Sequence, residues 1–233
     1  MVDIISIIPA RGGSLGVKEK NLQKVNGKSL VEIAIIASKS CSLVKETFVS
    51  SDSKKILALA QKNGAKTQVR SKENSDSNAS MLDTLKEFNA FFSSITQNND
   101  VWYLVLYPTY PFRTNKDLVD IINYYKSHHH LFEDGLVGVK PVSEHPYLSI
   151  KLDQKRIVPA YNPDVNAFYR RQDYPDLSVI CHWACIIPAT SLDSINNQLF
   201  SEKTLPYKLN KSPIDIDSYE DLNYANFLAA QSC

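Results

Sequence analysis

Short apolar runs alternate with segments of helical period along most of this chain, and that alternation limits the fold more than any other feature. Residues 3–9 read as a buried strand. Ser29-Leu30-Val31-Glu32 is a capping box. Its Ser oxygen can accept from a free backbone N–H while Glu32 reaches back, opening a helix to about residue 40. Residues 47–50 form a second strand, Ser53 caps a helix that Gly64 closes, and residues 66–69 form a third strand. A polar loop covers 71–78. The helix expected over 79–92 carries Met81, Leu82, Leu85 and Phe88 on one side. Residues 101–107 give the strongest strand pattern, broken by Pro108 and Pro111. Thr114 caps a helix over 115–127, and 136–139 form a further strand. This rhythm predicts an α/β fold in three layers, a mainly parallel sheet with helices on both faces.

Near Pro141 the rhythm changes. Residues 142–180 are rich in Pro, Tyr and Asp, with a strand-like piece over 148–152 and no good helix. Residues 142–178 therefore read as an arm inserted into a single domain spanning 1–233, a place suited to subunit contact or substrate specificity. Residues 179–187 return as a core strand, and Ser218-Tyr219-Glu220-Asp221 caps a last helix to about residue 229. A length of 233 residues suits one large domain.

Composition excludes several classes. Hydrophobic residues make up 43% and charged residues 22%, which rules out a disordered or collagenous chain. Lys+Arg 26 against Asp+Glu 25 leaves a formal +1, so no basic field points to nucleic acid or an anionic membrane. Mean hydropathy is −0.25. No stretch approaches the ~18 apolar residues of a membrane span. The run 4–10 is too short for a secretory signal and meets Arg11 without a cleavage-like site. The expectation is a cytoplasmic protein with neither a nucleic-acid nor a membrane partner. Cys41, Cys181, Cys185 and Cys233 are too sparse for a disulfide scaffold. Cys181 and Cys185 lie in an apolar run and read as buried thiols rather than metal ligands.

Of seven glycines, Gly12, Gly13 and Gly16 fall directly after the first strand. Glycine allows φ > 0 and close approach of a ligand to backbone N–H groups, as phosphate cradles require. Arg11, Lys18 and Lys20 add cations, and Arg11 can grip phosphate oxygens in bidentate fashion. A P-loop ending in Gly27-Lys28-Ser29 would need glycine where Leu22 stands. The dinucleotide fingerprint also fails, because Gly12-Gly13-Ser14-Leu15-Gly16 has the wrong spacing. Asp215-Ile216-Asp217 offers two hard oxygen donors on one side of an extended segment, of a kind that suits Mg²⁺, but the pattern alone is nonspecific and more often a solvated or capping cluster.

The run from Ile8 to Asn21, with Val49-Ser50-Ser51-Asp52, Asn78-Ala79-Ser80, Tyr107-Pro108-Thr109-Tyr110-Pro111-Phe112-Arg113-Thr114, Arg171-Gln172 and Ile214-Asp215-Ile216-Asp217-Ser218, resembles the acylneuraminate cytidylyltransferases. These are the CMP-sialic acid synthetases and their relatives acting on other nonulosonic acids. The resemblance spans nearly the whole chain in order. It implies a nucleotide-diphospho-sugar transferase fold and transfer of CMP from CTP to the anomeric hydroxyl of a 2-keto sugar acid, with pyrophosphate released. It also implies Mg²⁺ as cofactor and a homodimer docked through the arm. By resemblance, Arg11, Lys20 and Asp217 are catalytic, and Asp215 and Asp217 hold the metal. Arg11, Gly12, Gly13, Ser14, Asn21, Arg70, Ala79 and Ser80 would bind nucleotide. Arg171 would bind the sugar carboxylate, beside Tyr107 and His182, and Arg113 would brace its own loop.

The chain departs from that pattern at four places. Leu15 stands where the family has Lys, with Lys18 as a nearby substitute. Tyr107 replaces a sugar-facing Gln. Ser77-Asn78 replaces Asp-Thr before Ala79. Ile180 and His182 replace an Arg and an Asn that face the substrate. Losing a charge-assisted contact costs about 1.5–3 kcal/mol. These departures imply a different sugar or a weakened enzyme. They leave open a degenerate paralogue that binds nucleotide or a protein partner, and a nucleotidyltransferase for another base or sugar. His182 itself reads equally as a substrate donor or as a satisfied core histidine.

Overall fold

The computed structural model describes residues 2–14, 16–76, 79–161, 165–168, 170–209 and 212–231. Strand β1 (Asp3–Pro9) runs into the glycine-rich loop. A small hairpin, β2 (Lys24–Val25) and β3 (Lys28–Ser29), leads to α1 (Leu30–Ser40). Then come β4 (Glu46–Ser51), α2 (Lys54–Lys62), β5 (Lys66–Val69) and α3 (Met81–Thr96). Strand β6 (Val101–Val105), α4 (Asn115–His128) and β7 (Leu136–Pro141) follow. The arm carries the hairpin β8 (Ile150–Asp153) and β9 (Arg156–Pro159). The chain ends with β10 (Ser178–Pro188), β11 (Leu205–Lys208) and α5 (Tyr219–Gln231).

The caps explain where helices begin. Ser29 Oγ accepts from the Glu32 N–H, and Glu32 accepts from the Ser29 N–H at 2.8 Å. Thr114 and Asp117 form the same box on α4. Ser53 precedes α2 as expected but makes no capping bond with its side chain. Gly64 closes α2 at φ 74, the left-handed geometry that glycine accepts freely.

Seven strands form one sheet in the order β11-β7-β10-β6-β1-β4-β5. Strand β1 lies parallel to β4 and β6, β4 to β5, and β7 to β11, while β10 runs antiparallel to both its neighbours. The period-2 alternation of β1 and β6 divides their side chains between two cores. Ile4, Ile8, Trp102 and Leu104 pack under α1, α2 and α4, while Ile5, Ile7, Tyr103 and Val105 pack under α3. The helices thus cover both faces, in the three layers expected of an α/β domain. On the α3 side, Phe88 sits edge-on to Phe48 and Tyr103 at 5.3 and 5.4 Å. Truncating such a buried ring costs about 3–5 kcal/mol. A third, smaller core joins Val25 and Leu30 to Ile216, Leu222 and Ala225, tying α5 to the start of α1. No described helix is long and apolar enough to cross a membrane.

The strand order also locates a crevice. From β1 the chain moves outward to β4 and β5, then returns to place β6 on the other side of β1. Loops leaving β1 and β6 therefore part at their carboxyl ends, the switch point where open α/β sheets bind ligands.

Candidate active site

Residues from both sides of that switch point line a cavity of about 300 Å³. From the β1 loop come Arg11, Gly13, Ser14, Lys20 and Asn21. From beyond β6 come Tyr107, Thr109 and Tyr110, and Arg70, His182, Asp215 and Asp217 close the ring.

The loop's glycines serve different ends. The Gly12 N–H donates to Asp52 Oδ1 at 2.7 Å, so this donor holds the loop to the end of β4 rather than facing the cavity. Gly13 borders open space. A Cβ at Gly16 would run into the Asp217 carbonyl oxygen, so glycine lets the loop close on the 215–217 segment. Asn21, buried at the rim, donates its amide to the Arg11 carbonyl at 2.9 Å and thereby shapes the loop.

Opposite the loop, Ile216 is fully buried and its N–H donates to the Thr109 carbonyl at 2.9 Å. That anchor leaves the carboxylates on either side of it at the cavity. Asp217 Oδ1 accepts from Lys20 Nζ at 2.7 Å, with Asp217 75% exposed and Lys20 only 16%. Asp215 Oδ1 is buried, and among the described residues it has no hydrogen-bond partner. A buried carboxylate oxygen without a donor is costly, and a further donor or a cation relieves it. Asp221 fixes the end of the segment by accepting from the Ser218 hydroxyl and the N–H groups of Ser218 and Asp217. Those bonds from Ser218 hold its carboxyl below the ordinary value.

Arg70 forms the buried floor. Its Nε donates to Ser50 Oγ and its Nη2 to the Ser50 carbonyl. Burial pushes its pKa down to about 10, with Asp52 and Glu87 supporting the charge, so the guanidinium stays cationic at neutral pH. Arg11 donates to the Asp76 carbonyl at 3.3 Å. Three cations, Arg11, Lys20 and Arg70, thus share a cavity with two carboxylates.

The remaining wall is aromatic. The Tyr107 and His182 rings lie 5.6 Å apart. Burial raises the Tyr107 phenol well above its usual pKa, so it is a neutral hydroxyl. Burial, Asp215 and Cys181 raise Tyr110 in the same way. Arg113 does not line the cavity. It donates to the carbonyls of Trp183 and Tyr110 and stacks on the Tyr110 ring, bracing the wall from behind.

Three of the described residues anticipated at the site do not line the cavity, namely Gly12, Ala79 and Ser80. The Ser80 hydroxyl is taken up as the cap of α3, accepting from the Asp83 N–H at 3.0 Å. Its neighbour Met81 reaches the cavity instead. Arg171 opens a short 3-10 turn in the arm, and its side chain lies outside the described part of the structure, as do Leu15, Ser77 and Asn78. Arg170 pairs with Asp173 at 3.1 Å within the arm. Lys18 is exposed and does not line the cavity. Cys181 and Cys185 are buried in different cores. Among the described residues, no group of three or more His, Cys, Asp or Glu is arranged to hold a metal by itself. Thr109, Tyr110 and Met81 were not anticipated as lining residues, although Thr109 and Tyr110 belong to the Pro-rich motif that breaks the strand.

The family model described as cytidylyltransferase matches residues 5–175. The chain belongs to the cytidylyltransferase family. The N-acylneuraminate cytidylyltransferase of Streptococcus agalactiae serotype V is 29% identical over 221 residues, covering 93% of this chain and 51% of the relative. The chain therefore spans about half the length of that relative. The CMP-N,N'-diacetyllegionaminic acid synthase of Legionella pneumophila is 29% identical over 233 residues, covering 92% of this chain and 91% of the relative. Among solved structures, CMP:2-keto-3-deoxy-manno-octonic acid synthetase complexed with CTP superposes with a TM-score of 0.70 at 13% identity, covering 99% and 100% of the two chains. That likeness establishes the nucleotidyltransferase-type fold.

Proposed function

We propose that this cytidylyltransferase transfers CMP from CTP to the anomeric hydroxyl of a nonulosonic acid and releases pyrophosphate, with Mg²⁺ as cofactor. The observation carrying this reading is the convergence of Arg11, Lys20 and Arg70 with Asp215 and Asp217 on one cavity at the switch point. A triphosphate needs such cations, and displacement at its α-phosphorus is governed by positioning and charge neutralisation.

The residues fit the metal. The unpartnered, buried Asp215 Oδ1 and the exposed Asp217 carboxylate are hard oxygen donors, and Mg²⁺ takes few protein ligands beside water and phosphate. When bound, Mg²⁺ supplies positive charge to the triphosphate oxygens. The chain's own residues do the rest. Lys20 leaves Asp217 for the incoming phosphates and frees that carboxylate. Arg11 grips phosphate oxygens at the loop, and Arg70 holds its charge beneath them. Tyr107 and His182 meet the sugar acid, whose carboxylate is met by Arg171 from the arm.

The arm supports a homodimer. Its hairpin exposes Leu152 and Ile157, at 78% and 70%, and Tyr161 just beyond it is 72% exposed, too much apolar surface for one small ribbon to cover. A solution mass of about 52 kDa, twice the chain's 26.2 kDa, is expected. A mass of 26 kDa at micromolar concentration would sink this assignment. The proposal extends to a cytoplasmic location, in keeping with a reaction that consumes CTP.

Pyrophosphate release is the test, with CTP, Mg²⁺ and a panel of sialic, legionaminic, pseudaminic and octulosonic acids. Release with one of them is expected. CTP binding with silence across the panel would favour a degenerate paralogue. Turnover with a different nucleoside triphosphate would favour another nucleotidyltransferase.

A further inference from the structure

Asp215, the half-buried member of the carboxylate pair, shares the cavity with one side chain of the aromatic wall that no step has used. Tyr110 is buried and lines the cavity beside it. The backbone sets the two side by side. The Ile216 N–H donates to the Thr109 carbonyl at 2.9 Å and so locks together the residues next to Asp215 and Tyr110. The Tyr110 ring is clamped from behind, with the Arg113 guanidinium 5.3 Å from its centroid and Arg113 Nη1 donating to the Tyr110 carbonyl at 3.1 Å.

Strand β10 fixes the hydroxyl end of the ring. Ile180 stands opposite Val139 of β7 and Cys185 opposite Val137, so the four residues 181–184 face the single residue Gly138. The strand bows outward there, as an enlarged bulge. Gly138 permits it, because a Cβ at that position would run into the Cys181 carbonyl. The bow carries the buried Cys181 thiol to the phenol, with Sγ 3.9 Å from the hydroxyl oxygen.

The proton of that hydroxyl has one good destination. The thiol donates to the hydroxyl oxygen, and sulfur is a weak acceptor. The Asp215 carboxylate is the strong acceptor beside it. Burial first, then the charge and hydrogen bond of Asp215, raise the phenol's pKa and keep it a neutral donor. Asp215 Oδ1 has no hydrogen-bond partner among the described residues, so the bond from the phenol belongs to the other oxygen. A carboxylate held by one oxygen is restrained from turning, and its second oxygen is left for a cation.

We propose that Tyr110 is a positioning residue for Asp215: its buried hydroxyl, backed by the Cys181 thiol, donates to one carboxylate oxygen and orients the other for the metal. This assignment rests on the Mg²⁺ reading above and adds to it a group that acts on the metal only through Asp215. Hydrogen-bonding partners behind metal ligands change metal affinity by about 10–100-fold when they are removed.

The experiment follows Mn²⁺ binding by electron paramagnetic resonance, to the free protein and to its CTP complex, in the parent, Tyr110→Phe, Asp215→Asn and the double variant. Tyr110→Phe keeps the ring and removes the hydroxyl. Its Mn²⁺ dissociation constant is expected to rise about 10-fold or more, and the loss of turnover to fall mainly on the KM for Mg²⁺ rather than on kcat. Cys181→Ala should shift the constant in the same direction by less. In the Asp215→Asn background, Tyr110→Phe should change nothing further. A rise of less than threefold would overturn the assignment. So would an equal loss with and without Asp215, since the ring would then act on the fold alone. Mn²⁺ binding needs no turnover, so a parent that binds the ion but releases no pyrophosphate sinks the transfer reading while the Tyr110→Phe comparison still decides. A parent that takes up no Mn²⁺ in either state overturns the metal site and this assignment with it.

Discussion

The wall of the cavity built from the 11–20 loop and the 215–217 segment is held by charge and backbone, whereas the wall around Tyr107 and His182 is held by ring packing on a bowed strand. The first contains an ion pair whose carboxylate is largely exposed, with Lys20 Nζ 2.7 Å from Asp217. Solvent screens such a pair, so an anionic ligand can exchange with it at small cost. The second is preformed, because His182 is pinned to a carbonyl and Arg113 holds the adjoining backbone. One wall is thus built to rearrange around charge, and the other to present a fixed shape.

The comparison breaks most visibly at the carboxylates. Asp217→Ala removes a proposed metal ligand and leaves Lys20 unpaired. Turnover is expected to fall by about 10³-fold or more, in line with losing preorganised charge stabilisation at a reacting phosphate. Mn²⁺ binding followed by electron paramagnetic resonance should weaken in parallel. Activity within threefold of the parent would show that the 215–217 segment does not hold the metal.

A smaller effect is expected at Gly16. Its hydrogen lies where a methyl would strike the Asp217 carbonyl, so Gly16→Ala must push the loop away from the 215–217 segment. Overpacking of this kind costs about 1–3 kcal/mol. Displacing the groups that position a substrate by an ångström costs about 10²-fold in rate. A thermal melt and CTP kinetics would check both. An unchanged KM for CTP with full activity would mean that the loop and the segment do not act together.

The two walls also differ in how far the sequence revealed them. The strand–helix order was legible because apolar periodicity is a local signal, and the caps at Ser29 and Thr114 mark their helices in four residues each. The β1 loop was legible because three glycines and three cations are crowded after one strand. By contrast, the bow at 181–184 is a mismatch between β10 and β7, which begin some forty residues apart, and no local pattern encodes it. Strand β11 was hidden by Pro206, which argues against an interior strand but is tolerated at the edge where β11 lies. Ser80 was assigned to the nucleotide by resemblance alone, and its residue type does not reveal that its hydroxyl caps α3. The exchange partner of Lys20 could not be read either, since Asp217 reaches it only through the fold.

Arg113 tests the aromatic wall from behind. Arg113→Met keeps most of the buried volume but removes the donors to the Trp183 and Tyr110 carbonyls. The expected destabilisation is about 1–3 kcal/mol, from carbonyls left without their donor. Because the bow carries His182, the sugar KM should rise severalfold while the KM for CTP stays put. If both constants rise together, the walls are mechanically coupled and the contrast between them fails.

The smallest effect is expected at Glu87, beneath the charged wall. Burial would raise its carboxyl, but bonds from Asn74, Ser71 and Gln68 outweigh that and hold its pKa below the ordinary value of 4.5. The Asn74 and Ser71 bonds shape the turn after Arg70, the segment that leads to Asp76 and its contact with Arg11. A carboxylate with a lowered pKa contributes stability that is present above its unfolded value and is lost as pH falls through the folded one. Glu87→Gln should therefore melt lower than the parent at pH 7, and the gap should close as the pH drops below 4.5. Melting curves from pH 7 to pH 3 would check this. A gap that stays constant over that range would show that the contribution comes from shape alone and that charge at Glu87 does not help set the turn.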